Sequence, residues 1–252
     1  MIVNFINPDR FADRRREFMT NNAHLSEIRR CSRFDGRGLD LRALAESGTI
    51  DHSVLQTYTA GALGLALAHI SLWDNAIETG EVVTVCEDDA VFHHQFEQHA
   101  EAIIRQLPTN WDALLYGWNF DSTVLIDPLP GVSPCIASCD QDRMRLHVEE
   151  FQRQQVSPQP IRVLQAFMSC YSLSAQGARA LKAFCLPIRP MSIALPGSNL
   201  RFDRQLANIG IDVMMSAAYS GLNAFITLPP LAVSKNDHAT STLRHLAPLS
   251  RD

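Results

Sequence analysis

The sequence has no Cys-x-x-Cys pair and no long apolar run. Its six cysteines form no Cys-x-x-Cys pair and no dense pattern, so we expect no disulfide framework. Those within apolar runs are expected to behave as small hydrophobic residues. No stretch approaches the roughly 20 apolar residues that a membrane-spanning helix needs. The first residues also lack the basic and apolar segments of a secretory signal. These absences predict a soluble cytoplasmic protein.

Strong positive charge, internal repeats and low-complexity tracts are also missing. The formal net charge is -5, which argues against a nucleic-acid-binding protein that relies on bulk positive charge. The 252 residues are enough to bury a sizeable core. We expect a single domain over residues 1–252, with an irregular, proline-punctuated insertion at about residues 119–160.

The most informative stretch is a short apolar run that ends in three carboxylates. Residues 82–86 have the β-branched composition of a buried strand, and Glu87, Asp88 and Asp89 follow. In extended geometry, Glu87 and Asp89 lie on one face and Asp88 on the other. Two carboxylates at a strand end suit a hard divalent cation. The alternative is an acidic turn in which Asp89 caps a helix beginning near Val91. Spacing alone leaves both interpretations open.

Positive charge is concentrated just after the first predicted strand. That strand covers Ile2 to Ile6, and Asn7 and an arginine-rich helix follow it. A guanidinium just after a strand end can reach a phosphate, so Arg10 or Arg14 is a candidate ligand. The alternative roles are a solvated helix face or a structural salt bridge.

A second helix, predicted from Tyr58 to Thr79, carries two glycines. Gly61 and Gly64 lie about one turn apart, although glycine inside a helix costs about 1 kcal/mol relative to alanine. They therefore indicate close approach of the backbone to a sheet or a ligand. His69 follows these glycines on the same helix. A lone histidine on a helix is more often a core or surface residue than a ligand.

These segments, taken in order, resemble glycosyltransferase family 25, the lipopolysaccharide-type sugar transferases. Six motifs of that family have counterparts here in the same order: an Asn-x-Asp-Arg turn with a downstream Asp-Arg at residues 7–14, an Asp-Gly turn at 35–36, a Gly-x-x-Gly helix ending in tryptophan at 61–73, a Glu-Asp-Asp strand end at 87–89, a Tyr-x-x-Ser-x-x-Gly-Ala segment at 171–178 and an Asp-x-x-Leu segment at 203–206.

The resemblance implies an α/β, GT-A-like nucleotide-binding fold with a mostly parallel central sheet flanked by helices. It implies transfer of a sugar, often galactose, from a UDP-sugar to a glycan hydroxyl with inversion, in lipopolysaccharide or surface polysaccharide biosynthesis. Mn²⁺ or Mg²⁺ is the implied cofactor, and an oligosaccharide or lipid-linked glycan is the implied acceptor. A lipid-linked acceptor would place the protein peripherally at the inner face of the membrane. We expect acceptor specificity to lie in the irregular segment.

The resemblance also implies roles for individual residues. Asp89 is expected to bind the metal, and His238 is a further candidate ligand. Asp203 is the expected general base, with a place in the first turn of a short helix as its alternative role. Asp121 and Glu150 are reserve candidates for the base. The expected donor-binding residues are Asn7, Arg10, Arg14, Gly61, Gly64, His69, Glu87 and Asp88.

The chain departs from the family pattern within the glycine-containing helix. The usual family residues are replaced at Ala62, Leu65 and Ala68. These changes leave open a catalytically weakened sugar-nucleotide or glycan-binding protein. A different metal-dependent nucleotide-sugar enzyme, such as a nucleotidyltransferase, is the second alternative. Because the three carboxylates are intact, a transferase is the preferred interpretation.

Overall fold

The computed structural model describes residues 1–168, 170–197, 200–202 and 204–235. The strands in this part of the chain are β1 (Ile2–Ile6), β2 (Glu27–Cys31), β3 (Val83–Glu87), β4 (Ala90–Phe92), β5 (Ala113–Leu115), β6 (Val124–Leu129), β7 (Ser133–Ala137), β8 (Gln159–Gln165), β9 (Cys170–Leu173), β10 (Ser192–Leu195), β11 (Arg204–Ala207), β12 (Ala224–Leu228) and β13 (Ala232–Ser234). The α-helices are α1 (Ala12–Asn21), α2 (Leu41–Glu46), α3 (Ala60–Thr79), α4 (Phe96–Ile104), α5 (Gln141–Leu146), α6 (Val148–Arg153), α7 (Ala175–Cys185) and α8 (Ile211–Ala218).

Nine strands form one central sheet with the order β2-β1-β3-β9-β5-β12-β8-β6-β7. The pairings place β1, β2, β3, β5, β6 and β12 in one direction and β7, β8 and β9 in the other. Two further pairs, β10–β11 and β4–β13, lie outside this sheet. The predicted α/β class, with a GT-A-like central sheet flanked by helices, is confirmed. The sheet is mixed rather than mostly parallel, with three parallel and five antiparallel strand pairs among the described residues.

The side chains of the central strands alternate between two core layers. Val83 and Val85 of β3 belong to the layer that includes Trp73 of α3, whereas Cys86 belongs to the layer that includes Phe18 of α1. Helices α7 and α8 contribute to the first layer and α4 to the second. Because helices cover both faces, a ligand has access at the ends of the strands.

Helix α3 packs directly against the turn that follows β2. The Thr59 hydroxyl accepts a hydrogen bond from the N–H of Ala62 at 3.1 Å, and Gly80 ends the helix with a φ of 75°. A Cβ atom on Gly64 would lie 2.6 Å from the backbone nitrogen of Gly36. The predicted close approach at Gly64 is therefore an approach to loop backbone.

Several local expectations are wrong because long-range strand pairing decides the structure. Asp89 caps no helix: β4 begins at Ala90, and α4 begins only at Phe96. The short helix expected after Phe202 is instead β11, which pairs with β10. The segment at residues 119–160 is more regular than expected, since it contains the β6–β7 hairpin, α5, α6 and the start of β8.

Candidate active site

The carboxyl ends of β1 and β3 meet at one edge of the sheet. These strands are parallel neighbours with Ile6 in register with Glu87, so the residues that follow them lie together. Asn7 follows β1 and Asp88 follows β3. Asn7 Nδ2 donates a hydrogen bond of 2.6 Å to Asp88 Oδ2. This contact joins two predicted donor-site residues that are 81 positions apart.

Helix α1 brings a cation to the same edge. The Arg14 guanidinium forms an ion pair with Asp88 Oδ1, and the Asp88 side chain is only 6% exposed. Burial raises the pKa of Asp88, while Arg14 and the Asn7 amide favour its charged form and offset part of this effect. Both carboxylate oxygens therefore face protein donors, and Asp88 holds Arg14 in position.

A small cleft lies beside this ion pair. Arg10 Nη1 is 2.5 Å from Asp35 Oδ1 and donates to the Asp35 carbonyl at 2.8 Å. Burial acts to raise the pKa of Asp35, but the N–H of Arg37 and the Arg10 guanidinium hold it below its usual value. Five predicted donor-binding residues line the cleft: Arg10, Arg14, Gly61, Glu87 and Asp88.

A group of carboxylates adjoins Asp88 on the α8 side of the sheet edge. Burial raises the pKa of Glu87 well above its usual value, and the charges of Asp89 and Asp212 raise it further. Asp212 lies in the first turn of α8. Its pKa is raised by burial, and repulsion from Asp121 acts in the same direction. Carboxyl groups are thus concentrated where β3 ends.

Asp89 is oriented by the segment at the end of β13. Ser234 Oγ donates to Asp89 Oδ2 at 2.5 Å, and the N–H of Lys235 donates to the Asp89 carbonyl at 3.3 Å. Strand β13 pairs with β4 so that Ser234 lies opposite Ala90. The turn at residues 88–89 is therefore held at Asp88 by Asn7 and Arg14 and at Asp89 by the end of β13.

The oxygen atoms of Glu87 and Asp89 fit a hard divalent cation. In the described ranges, no three His, Cys, Asp or Glu side chains form a metal-binding group. Mg²⁺ is commonly held by only one or two carboxylates together with substrate phosphates. Two neighbouring carboxylates beside an arginine-lined cleft match that arrangement, and the mutual repulsion at Glu87 is what a cation would relieve.

Two predicted donor-binding residues lie in the interior. His69 is completely buried, with its Nδ1 2.7 Å from the Tyr171 hydroxyl, which also accepts a 2.8 Å hydrogen bond from Trp73 Nε1. Burial lowers the pKa of His69 to about 3, so the ring is neutral. Gly64 packs against the backbone of Gly36. Core packing, rather than the predicted donor contact, accounts for both residues.

Asp203 and His238, the predicted base and second metal ligand, lie outside the described residues. Of the reserve bases, Asp121 faces Asp212, whereas Glu150 is exposed on α6 with a carboxylate oxygen 3.5 Å from the Nδ1 of His147.

Asp212 is a candidate functional residue that the sequence interpretation missed. The family's Asp-x-x-Leu pattern was matched to Asp203, but Asp212 to Met215 has the same spacing with methionine in place of leucine. Met214 and Met215 are completely buried. A carboxylate placed directly before a buried apolar helix face was the available signal.

Of the comparisons with known proteins, the family model agrees with the sequence resemblance. The crystal structure of A197 from STIV is similar to this chain at 10% sequence identity and a TM-score of 0.36, covering 97% of this chain and 98% of that chain. No curated protein matches the sequence. The sequence model of glycosyltransferase family 25 (LPS biosynthesis protein) matches residues 11–191, which include β3 and its carboxylates. The chain therefore belongs to glycosyltransferase family 25 and is a glycosyltransferase of lipopolysaccharide biosynthesis.

Proposed function

We propose that the enzyme transfers galactose from UDP-galactose to a glycan hydroxyl, with inversion at the anomeric carbon and with Mn²⁺ or Mg²⁺ as cofactor. The observation that carries the proposal is the meeting of two arginines and a carboxylate group at the ends of β1 and β3. Cationic donors and a divalent metal stabilise a diphosphate leaving group, and the incoming hydroxyl requires a base. One edge of the sheet offers residues for each role.

The donor phosphates would bind to the arginine side of the cleft. Arg10 and Arg14 are each positioned by a carboxylate, and a guanidinium has further N–H groups that suit phosphate oxygens. Gly61 lines the same cleft in the first turn of α3, where backbone N–H groups and the helix dipole favour an anion. Asn7 contributes to the cleft indirectly, through its hydrogen bond to Asp88.

Glu87 and Asp89 are the residues that would hold the divalent cation. When bound, Mn²⁺ or Mg²⁺ supplies Lewis-acid stabilisation of the negative charge on the departing diphosphate. Ser234 keeps the Asp89 carboxylate oriented. His238 remains a predicted additional ligand outside the described residues.

Asp212 is the general base that the described geometry favours. In an inverting transfer, one base accepts the proton of the acceptor hydroxyl while the hydroxyl oxygen bonds to the anomeric carbon. The bond from that carbon to the UDP oxygen breaks, and UDP leaves with the electron pair. Burial raises the pKa of Asp212, which strengthens it as a proton acceptor. Asp203 remains the base predicted from the sequence motif.

The proposed acceptor is an oligosaccharide or a lipid-linked glycan at the cytoplasmic face of the membrane. Either form presents the hydroxyl group that the base must deprotonate. In the part of the chain that the structure describes, none of the helices combines the length and apolarity needed to cross a bilayer.

A thermal-shift titration with UDP, with and without Mn²⁺, tests the donor site. We expect a Mn²⁺-dependent rise in Tm, because a ligand at a hundredfold excess over its Kd stabilises the fold by about 2.7 kcal/mol. Asp89→Ala should remain folded and lose the shift. Asp142→Ala, at a carboxylate on α5 with a 90% exposed side chain, is the control and should keep it.

Two outcomes would contradict parts of the proposal. No shift with UDP in well-folded wild-type protein would exclude a UDP-sugar donor. If UDP binds, release of UDP from UDP-galactose and from UDP-glucose should be compared, and equal rates would contradict the choice of galactose.

A further inference from the structure

We propose that a groove between α5–α6 and the Pro229–Pro230 turn is the acceptor-binding site, and that it takes uncharged hexose units of an oligosaccharide. The inference rests on the proposed glycosyl transfer, because the groove would bind the acceptor, the second substrate of that reaction. The groove has a volume of about 890 Å³, within the range of roughly 300–1,000 Å³ for small-molecule sites.

The groove is connected to the proposed catalytic carboxylates through two neighbouring positions in the chain. Phe120 lines the groove and directly precedes Asp121, which lies close enough to Asp212 to repel it. Val233 also lines the groove and directly precedes Ser234, the hydrogen-bond donor to Asp89. A glycan in the groove would therefore lie beside the two chain segments that position this carboxylate group.

The apolar lining of the groove suits the C–H faces of sugar rings. Phe120 and Phe151 are both half-buried, so part of each ring remains accessible. Met144 is more deeply buried behind them, in one cluster with Val233. Aromatic rings offer a flat apolar face to a pyranose ring, while the sugar hydroxyls point to the polar rim.

The charges on the rim favour an uncharged ligand. Acidic and basic side chains alternate there, and some of them pair with each other: Arg153 lies 3.9 Å from Glu149, and His147 lies 3.5 Å from Glu150. A rim of mixed sign produces no strong local field for a phosphorylated or polyanionic ligand. Neutral hexoses, which need hydrogen-bond donors and acceptors, match this rim better.

The helices that form the groove are fixed to the catalytic half of the protein. Gln141 Nε2 of α5 donates to the carbonyls of Ser234 and Lys235 at 3.2 and 3.1 Å. Gln152 Nε2 of α6 donates to the carbonyls of Asn21 and Phe92 at 2.8 and 3.2 Å. The groove is thus held at a defined position relative to Asp89.

The experiment compares glycan binding by the wild-type chain, Phe151→Ala and Leu146→Ala. The probe is an array of neutral oligosaccharides built from galactose and glucose, used in the presence of UDP and Mn²⁺. We expect Phe151→Ala to bind the oligosaccharides at least tenfold more weakly, with UDP affinity unchanged. Leu146 is 81% exposed on α5 and does not line the groove, so Leu146→Ala should bind as the wild type does.

A chemical measurement keeps the test decisive if Phe151→Ala unfolds. Cys139 lines the groove and is exposed, as is Cys135, so the measurement uses a Cys135→Ser background. Oligosaccharides that bind the groove should protect Cys139 from alkylation by a maleimide. Unchanged glycan binding by folded Phe151→Ala, an absence of protection, or a wild-type chain that binds UDP but no glycan overturns the acceptor groove alone. Failure of the wild type to bind UDP overturns the proposed function as well.

Discussion

Asp88 contacts Arg14 of α1 through one carboxylate oxygen and Asn7, which follows β1, through the other. Removing the guanidinium would leave a buried carboxylate without its cation. We therefore expect Arg14→Ala to lower the free energy of unfolding by about 3 kcal/mol, as for other broken buried pairs. Urea unfolding measures this change.

The same pair can be tested by a double-mutant cycle. Because the cost of Arg14→Ala comes from the unpaired Asp88 charge, Arg14→Ala combined with Asp88→Asn should be more stable than the sum of the single effects predicts. Strict additivity of the two single variants would show that Asp88 and Arg14 are not energetically coupled.

Asp212 and Asp203 are distinguished by kinetics. If Asp212 is the general base, Asp212→Asn should lower kcat at saturating UDP-sugar by about 10²–10⁴-fold, because the acceptor hydroxyl loses its proton acceptor. Asp142→Asn, at an exposed carboxylate on α5, is the control for loss of one negative charge. Full activity in Asp212→Asn together with loss of activity in Asp203→Asn would assign the base to Asp203.

At the scale of elements, the contact between α3 and the turn after β2 depends on the missing side chain of Gly64. A Cβ atom there would lie 2.6 Å from the nitrogen and 2.8 Å from the Cα of Gly36, which are backbone atoms and cannot rotate away. We expect Gly64→Ala to destabilise the protein by about 1–3 kcal/mol in urea unfolding. The gain of about 1 kcal/mol in helix propensity is too small to reverse the sign.

Gly221 provides the matched control for this substitution. A Cβ atom at Gly221 would meet nothing within 4 Å, and the residue is exposed. Gly221→Ala should therefore leave stability nearly unchanged. Equal effects of the two substitutions would show that close packing at Gly64 does not limit the position of α3.

Elements with a strong local pattern could be predicted from the sequence. Strand β1 has the bounds predicted for it, and the helix predicted from Tyr58 to Thr79 matches α3 to within two residues. Strand β4 has only three residues and exists because it pairs with β13, more than 130 positions away. Such a contact leaves no periodic signal near Asp89, so local spacing alone left the acidic helix cap open as an alternative.

For the whole molecule, the contrast between local sequence patterns and long-range contacts also separates the two halves of the proposed site. The donor side follows short motifs at strand ends, and five predicted residues meet in one cleft. The groove beside α5 and α6 depends on how an insertion packs against Phe92, Ser234 and Lys235. No local pattern encodes these side-chain to backbone hydrogen bonds, so the sequence indicated only an irregular segment.

The stability of the whole molecule should depend on pH through His69, which joins α3 to the central sheet. Its pKa is lowered by burial from 6.5 to about 3, so the unfolded chain binds a proton between these values and the folded chain does not. The contribution of neutral His69 to the free energy of unfolding is therefore complete above pH 6.5 and is lost as the pH falls toward 3. At pH 5 this linkage amounts to about 2 kcal/mol.

His69→Gln isolates this effect, because glutamine can accept the hydrogen bond of Tyr171 but does not titrate. We expect the loss of unfolding free energy between pH 7 and pH 5 to be about 2 kcal/mol smaller in His69→Gln than in the wild type. Other titrating groups contribute equally to both proteins, so urea unfolding at the two pH values gives the difference directly. Identical pH dependence in the two proteins would mean that His69 can be protonated without global unfolding. The contact between α3 and β9 would then open locally.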